Sequence, residues 1–456
     1  MEEAAEAANR LGLAPLSRQL ATALDAEDPL RGFRAHFAIP PATAFPSCEA
    51  SGEAVYLLGN SLGLQPKRTQ AAVQAALQRW AHLGVVGFDD GPEKEAGWIR
   101  QAEEVSIPLA KLIGGKASEV AVMNSLTINL HLLLVAFYQP SKERYKILLE
   151  AGAFPSDYYA CCSHARLQGR SPDDVILLLE PREGESCLRT EDILRVLEKD
   201  GPSIAVVLLP GVQYYTGQSF PIQVLTKAAQ AQGCLVGWDL AHAVGNVPLQ
   251  LHDWGPDFAT WCSYKYLNGG PGAVGGLFVH ERHFEATERP QLLGWWGHRL
   301  ATRFQMNNCL ELAPGSAGFQ VSTPPVLYIA ALAASLQVFE EADAGQLQRK
   351  SRLLTGYLEL LLRHPESPLK DAIGILTPSR PEERGAQVSL YFQKHASKDV
   401  HAALLRRGFI TDKREPSVLR VAPTPLYNTF LELHRFTLAL NEALAEVQSQ
   451  LDGHSS

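Results

Sequence analysis

Lys265 stands where an apolar run, Phe258–Cys262, gives way to the glycine-rich stretch Asn268-Gly-Gly-Pro-Gly272. A primary amine placed there can attack a carbonyl and can carry protons. Another apolar run, Cys234–Trp238, ends in Asp239-Leu-Ala-His242, 26 residues before the lysine (265 minus 239). A carboxylate at the end of a buried strand costs free energy unless a cation or a hydrogen-bond donor partners it. A protonated pyridine nitrogen is such a partner. A covalently attached lysine, with an acidic residue at a pyridine nitrogen, is the pattern of pyridoxal-phosphate (PLP) chemistry, in which the cationic ring takes up electrons. Taken alone, Lys265 also reads as a solvated loop lysine and Asp239 as a helix N-cap; their register with His242 favours the chemical reading.

Two other segments fit the same cofactor. Asn124-Ser-Leu126-Thr127 follows the short apolar run Val120–Met123 and opens a helix, where backbone N–H groups and a threonine hydroxyl suit a phosphate. Ala153-Phe154-Pro155-Ser156-Asp157 follows the run Lys146–Leu149, and an aromatic at a strand exit can stack on a flat ring. Each has a plainer reading, a capped helix and a core aromatic respectively.

These groups need elements to position them. From about Val55 to Val321 short apolar runs alternate with amphipathic ones. Strands are predicted at Lys146–Leu149, Ile204–Leu209, Leu235–Trp238, Phe258–Cys262 and Ala273–Val279, with a helix over Pro221–Gln232. Alternating strands and helices imply a mainly parallel sheet covered by helices on both faces. Before it, residues 1–50 read as a helical arm, with Leu16, Leu20 and Leu24 at helical spacing. After Thr323-Pro-Pro325 the pattern changes to one long helical stretch, Val326–Leu362, a strand (Gln387–Phe392) and two helices (Asp399–Arg407, Thr429–Gln450). The expected organisation is an arm (1–50), a large α/β domain (51–325) and a small α+β domain (326–456). In such sheets ligands collect at the carboxyl ends of the strands.

The bulk properties remove other classes. A net charge of −8 lacks the basic footprint of a nucleic-acid binder. Seven cysteines, an odd number without a CxxC pair, fit a reducing compartment better than a disulfide scaffold or a zinc module. The acidic start Met1-Glu-Glu has no signal-peptide character, and no apolar stretch reaches the ~20 residues that span a bilayer. A soluble, cytoplasmic protein without a metal site is expected.

Six runs then carry a resemblance: Leu58-Gly-Asn-Ser61-Leu-Gly-Leu-Gln-Pro-Lys67, Phe154-Pro-Ser-Asp157, Tyr215-Thr-Gly-Gln218, Asp239-Leu-Ala-His-Ala-Val-Gly-Asn246, Cys262-Ser-Tyr-Lys-Tyr-Leu-Asn268 and Arg420-Val-Ala-Pro-Thr-Pro-Leu-Tyr-Asn428. In this order, from about residue 30 to 440, they resemble the kynureninases. The resemblance implies a fold-type I PLP enzyme of the class V aminotransferase superfamily, active as a homodimer with composite sites. It implies hydrolysis of the Cβ–Cγ bond of kynurenine or 3-hydroxykynurenine, giving alanine and an anthranilate, within tryptophan catabolism and pyridine nucleotide synthesis. By position, Lys265 holds the cofactor covalently, Asp239 meets the pyridine nitrogen and His242 supports the ring. Phe154 stacks on it, with Pro155, Ser156 and Asp157 alongside. Leu126, Thr127, Tyr264 and Tyr215 serve the phosphate, and Tyr215 is also the candidate proton donor. Trp295 and Thr323 reach into the partner's site, Ser61 and Phe88 contact substrate, and Arg420 takes its α-carboxylate.

Three positions depart from the animal pattern. Pro210 stands for a serine, Thr323 for an asparagine and Phe88 for a histidine, with an insertion beside it at Gly91–Gly97. The substitutions imply good acceptance of unhydroxylated kynurenine. A cysteine desulfurase would share the fold but needs a mobile nucleophilic cysteine, for which Cys309 is the loose candidate. An inactive scaffold of the same fold would be expected to lose Lys265, Asp239 or Arg420, and all three are present.

Overall fold

The computed structural model describes residues 1–90, 97–285, 289–392 and 397–454. Two compact units divide the chain: residues 68–213 with 220–337, and residues 1–67 with 214–219 and 338–456. The insertion at Gly91–Gly97 lies, apart from Gly97, outside the described residues.

The larger unit is built on a seven-stranded sheet in the order Val120–Val122, Gly276–Val279, Phe258–Trp261, Leu235–Asp239, Ile204–Pro210, Lys146–Glu150, Ile176–Leu179. Neighbours from Phe258–Trp261 to Ile176–Leu179 pair in parallel, and Gly276–Val279 runs against both of its neighbours. The sheet is therefore mainly parallel. The five expected strands are present. Each differs at one end: Lys146–Glu150, Ile204–Pro210 and Leu235–Asp239 run one residue further, Phe258–Trp261 stops one residue earlier, and Gly276–Val279 starts three residues later. The strand interiors are buried on both faces, as in Ile204–Leu209 and Phe258–Trp261, which is what helices on both sides of a parallel sheet require. Leu130, Leu133, Ile147, Val206 and Phe258 share its core.

The smaller unit has a four-stranded antiparallel sheet in the order Asp412–Arg414, Val418–Val421, Val388–Phe392, Ile373–Ile375. A two-stranded parallel ladder joins Val55–Tyr56 to Phe409–Ile410. The expected arm is not separate. Leu20 and Leu24, on the helix Arg18–Glu27, are buried in one core with Leu354, Leu358, Phe430 and Phe436. Asp25 fixes the arrangement: its carboxylate accepts the N–H groups of Phe430 (2.7 Å) and Leu431 (3.0 Å), the first turn of the C-terminal helix Phe430–His454. A carboxylate there satisfies orphan donors and opposes the helix dipole. Asp28 and Lys350 add a buried ion pair at 2.7 Å. Domain boundaries at 50/51 and 325/326 thus give way to a division in which residues 1–67 belong with the C-terminal part. The expected single stretch Val326–Leu362 is also two helices, Val326–Glu341 and Ala344–Arg363. Asp343 restarts the second by accepting the N–H of Gln346 at 2.8 Å, an N-cap inside what reads as one apolar periodicity.

Candidate active site

In the larger unit the carboxyl ends of adjacent parallel strands present Glu150, Pro210 and Asp239. Pro210 pairs in register with Asp239. Asp239 is buried, and its Oδ1 accepts the N–H of Ala241 at 2.8 Å, turning the chain toward His242. Lys265 lies in the turn that follows Phe258–Trp261. Asn268 closes that turn in the left-handed region (φ 54°), with its N–H on the Lys265 carbonyl at 2.9 Å. The Lys265 Nζ is 2.8 Å from His242 Nε2, 5.8 Å from the centre of the Phe154 ring and 5.9 Å from that of Tyr264.

Two helices begin beside this group. Leu126–Phe137 starts after Ser125, and Pro155–Leu167 starts after Phe154 with Pro155 in its first turn, where a missing N–H costs nothing. Their first turns meet: the Thr127 and Ser156 hydroxyls are 2.7 Å apart. Paired helix N-termini with hydroxyls are a suitable seat for a phosphate. Asp157, in the same first turn, is buried, and its Oδ1 has no hydrogen-bond partner among the described residues. Burial, and then the neighbouring Asp239, hold its carboxyl well above the usual range. Glu150 was not foreseen. It is buried too, and burial followed by the charge of Asp239 pushes its carboxyl up to about 8. Three buried carboxyl groups therefore act on one another, with the Lys265 amine acting on Asp157 in the opposite sense, an arrangement that favours a further cation. The Tyr264 phenol is likewise pushed up, chiefly by burial and then by Cys262.

The smaller unit holds the other expected groups. Arg420, in the strand Val418–Val421, is almost completely buried. Its guanidinium donates Nη1–H to the Tyr214 carbonyl at 2.8 Å and Nη2–H to Asp412. Asp412, directly opposite it in the ladder, was not foreseen. Tyr215 follows, its carbonyl accepting the Ser389 hydroxyl at 2.6 Å and its phenol donating to the Glu415 carbonyl at 3.4 Å. Burial, then Tyr214 and Tyr391, raise the Tyr215 phenol, so it keeps its proton at neutral pH. Ser61 sits in a tight turn, its N–H on the Leu58 carbonyl at 3.0 Å. Gly59 in that turn faces the Tyr427 and Thr424 hydroxyls, which leave no room for a Cβ.

A third group, again in the larger unit, is aromatic. Phe88 is half-buried, edge-on to Trp98 (5.3 Å between ring centres) and tilted against Trp296 at 6.4 Å. Gly87 beside it is required, because a Cβ would meet the Trp98 ring at 2.7 Å. Trp295 is half-exposed and Thr323 exposed. Elsewhere in this unit Glu119, His252 and His280 come together, a set able to hold a metal ion. Their facing atoms are already engaged: Glu119 accepts the N–H groups of Lys116 and Glu281, both at 2.9 Å, and faces His252 Nδ1 at 3.0 Å, while His280 Nδ1 accepts the N–H of Arg282 at 3.2 Å. This is a hydrogen-bonded hub.

Residues 347–440 match the model of the kynureninase C-terminal domain. The chain is 48% identical to the kynureninase of Homo sapiens over 446 residues, covering 96% of this chain and 95% of that protein. It is 49% identical to the kynureninase of Myxococcus xanthus, covering 93% and 96%. The chain belongs to the kynureninase family. Solved structures agree on the fold. A cystine C-S lyase C-DES mutant, with glycine covalently linked to the PLP cofactor, superposes with a TM-score of 0.72 at 16% identity, covering 85% of this chain and 96% of that one. The cysteine desulfurase CsdA from Escherichia coli gives 0.70 at 18%, covering 92% and 99%. At such identities these two speak for the fold alone, the fold-type I architecture expected from the sequence. Kynureninase membership, in contrast, bears on the reaction, and it sets aside the desulfurase alternative built on Cys309.

Proposed function

We propose that this kynureninase-family chain hydrolyses the Cβ–Cγ bond of L-kynurenine and 3-hydroxy-L-kynurenine, giving L-alanine and anthranilate or 3-hydroxyanthranilate, with pyridoxal 5′-phosphate held at Lys265. The observation that carries the reading is the Lys265 amine set 2.8 Å from His242 among buried carboxyl groups, in a chain of this family. The residues fit the cofactor. Phe154 offers a face to a flat ring, Asp239 and the unpartnered Oδ1 of Asp157 offer acceptors to a pyridinium N–H, and Thr127 with Ser156 suits the phosphate. When bound, PLP supplies an electron sink for charge developing at the substrate's α-carbon.

The chain's own groups do the rest. Arg420, a planar fork, binds the α-carboxylate. The Lys265 amine, beside His242, takes the α-proton. Tyr215, whose phenol keeps its proton, donates. Water adds to the γ-carbonyl, the Cβ–Cγ bond breaks, the aryl carboxylate leaves, and protonation of the remaining three-carbon unit gives alanine. Ser61 and Phe88 contact the substrate. Pro210, with no N–H and no hydroxyl, leaves the cofactor one side-chain hydrogen bond short of the animal pattern.

The working unit is a homodimer in which Trp295 and Thr323 serve the partner's site. Supporting this, Trp80, Val85, Leu292, Leu293, Phe304 and Met306 of the larger unit are large apolar side chains left exposed in the single chain. The compartment is the cytoplasm, in keeping with described cysteines that are all free. No helix among the described residues is long and apolar enough to cross a membrane.

The test is incubation of PLP-supplemented protein with kynurenine, 3-hydroxykynurenine and cysteine in parallel. Alanine with the matching anthranilate is expected from the first two. Alanine from cysteine alone, or no product, overturns the assignment. A fully active monomer by light scattering overturns the composite site.

A further inference from the structure

Trp295 is half-exposed, yet its indole is held. Nε1–H donates to the Arg303 carbonyl at 3.1 Å, and the Phe304 ring packs edge-on at 5.5 Å. The neighbouring Trp296 is buried and turned the other way, at 81° to Trp295. Over its ring, 4.6 Å from the centre, lies the guanidinium of Arg303. That group donates Nη2–H to the carbonyls of Trp296 (2.7 Å) and His298 (2.9 Å), and Nε–H to His298 as well (3.2 Å). Arg303 thus grips the turn 295–298 from both sides, with its backbone carbonyl on one tryptophan and its side chain on the other.

The grip is costly. Arg303 is only 4% exposed, no carboxylate among the described residues lies within ion-pair distance, and Nη1 is buried without a hydrogen-bond partner. Carbonyl dipoles, the Trp296 face and the more distant charge of Glu103 do not offset the cost of burying this cation, and burial lowers its affinity for the proton. The turn does not need it for closure, because Gly297 and His298 already donate their N–H groups to Gly294 and Trp295, both at 3.1 Å. What the guanidinium adds is rigidity. The turn is also pressed onto the segment leading to Thr323: the backbone of Val321 fills the place of a Cβ at Gly294, and the carbonyls of Gly318 and Gln320 lie 2.6 and 2.7 Å from one at Gly297. Trp295 and Thr323 therefore project from one braced platform.

We propose that Arg303 is a positioning residue for the cofactor site. It fixes the platform so that Trp295 meets the partner's cofactor without first losing side-chain freedom, the usual gain from preorganisation. The proposal rests on the reading that Trp295 serves that site. It acts through Trp295, so its signature is coupling between the two positions.

The experiment measures the dissociation constant of PLP from the dimer by visible circular dichroism, for wild type, Arg303→Lys, Trp295→Ala and the double variant. Arg303→Lys keeps the charge and loses the fork and the stacked plane. It is expected to weaken PLP binding about tenfold, with Trp295→Ala similar or larger. In the double variant the lysine should add less than about twofold to the effect of Trp295→Ala. Arg303→Gln drops the buried charge, so it tests the same coupling if the lysine variant does not fold. Additive losses overturn the proposal, because the effect then bypasses Trp295. So does unchanged PLP affinity in Arg303→Lys when Trp295→Ala weakens it. Unchanged affinity in Trp295→Ala overturns the reading of Trp295 itself, and the proposal with it.

Discussion

Near Lys265, Glu150 and Asp239 are buried at the ends of parallel strands and Asp157 in the first turn of a helix, whereas Arg420 lies within an antiparallel strand with Asp412 already against it. The first group is short of positive charge. Asp157 has an unpartnered oxygen, and Glu150 and Asp157 hold their protons more tightly than carboxyl groups ordinarily do. The second is balanced: the guanidinium has a carboxylate and a backbone carbonyl before any ligand arrives. A deficient site favours a cationic ring, and a balanced one suits an anion that binds and leaves each turnover. Variants in the two regions should therefore fail differently, the first in chemistry and cofactor retention, the second in substrate affinity.

The largest effect is expected at Lys265. Lys265→Ala should lower multiple-turnover activity by about 10³-fold or more, the upper range for loss of a proton-transfer group, and borohydride should no longer trap PLP on the peptide containing residue 265. Full activity would break the comparison at its root. Arg420→Lys comes next. It keeps the charge but loses the bidentate fork, for a loss of about one to two decades in kcat/KM. The loss should appear in KM more than in PLP affinity; the reverse pattern would move Arg420 to the other region. Asp412→Asn sharpens the point. It removes the Asp412 charge from the buried guanidinium, so KM should fall about threefold while the melting temperature drops. An unchanged KM would show that Asp412 does not compete for the fork.

The two regions also differed in how far they could be read. Asp239 and Lys265 were legible because an apolar run followed by a polar residue marks the end of a buried strand. Glu150 carries the same signal in Lys146-Ile-Leu-Leu-Glu150, but no histidine or glycine-rich turn stands beside it in the sequence to set it apart from an ordinary charged strand end. Asp412 had no such signal. Its strand, Asp412-Lys-Arg414, is charged throughout, and only the ladder sets it opposite Arg420. The arm read as separate because sequence spacing does not tell which core Leu20 and Leu24 join; that depends on Asp25 meeting the start of a helix more than 400 residues away, at 2.7 Å. Tyr215 and Arg420 were placed by family resemblance, since neither stands at a strand end that the sequence alone reveals.

A smaller effect concerns the aromatic group, where the walls are apolar. Phe88 offers no donor or acceptor, and Thr323 only a short hydroxyl. A pocket that hydrogen-bonds a ring hydroxyl rejects the analogue lacking it, whereas an apolar wall discriminates weakly against an added hydroxyl. The Trp98 and Trp296 contacts hold Phe88 beside the turn that carries Trp295, which supports its assignment to the site. The protein should turn over kynurenine at least as well as 3-hydroxykynurenine, and Phe88→His with Thr323→Asn should shift kcat/KM toward the hydroxylated substrate by about tenfold. A wild-type preference for 3-hydroxykynurenine of about a hundredfold or more would remove Phe88 and Thr323 as determinants of choice.

The smallest effect on activity, and the closest test of the charge deficit, is at Glu150. Its carboxyl titrates near 4.5 in the unfolded chain and is pushed up to about 8 in the folded one, first by burial and then by Asp239. Between those values the folded protein keeps a proton that the unfolded chain has released. Stability therefore falls as pH rises through the window and levels off above it. Glu150→Gln keeps the shape and removes the titration, so wild type should lose about 2 kcal/mol or more relative to the variant across the window in the cofactor-free protein. Bound PLP should blunt this loss, because a pyridinium beside Asp239 partly neutralises the charge that holds the Glu150 proton in place. Denaturant unfolding of both proteins, with and without PLP, separates the contributions. Parallel curves for wild type and Glu150→Gln across the whole window would mean that Glu150 ionises normally. The Lys265 region would then be closer to charge balance, like the region around Arg420.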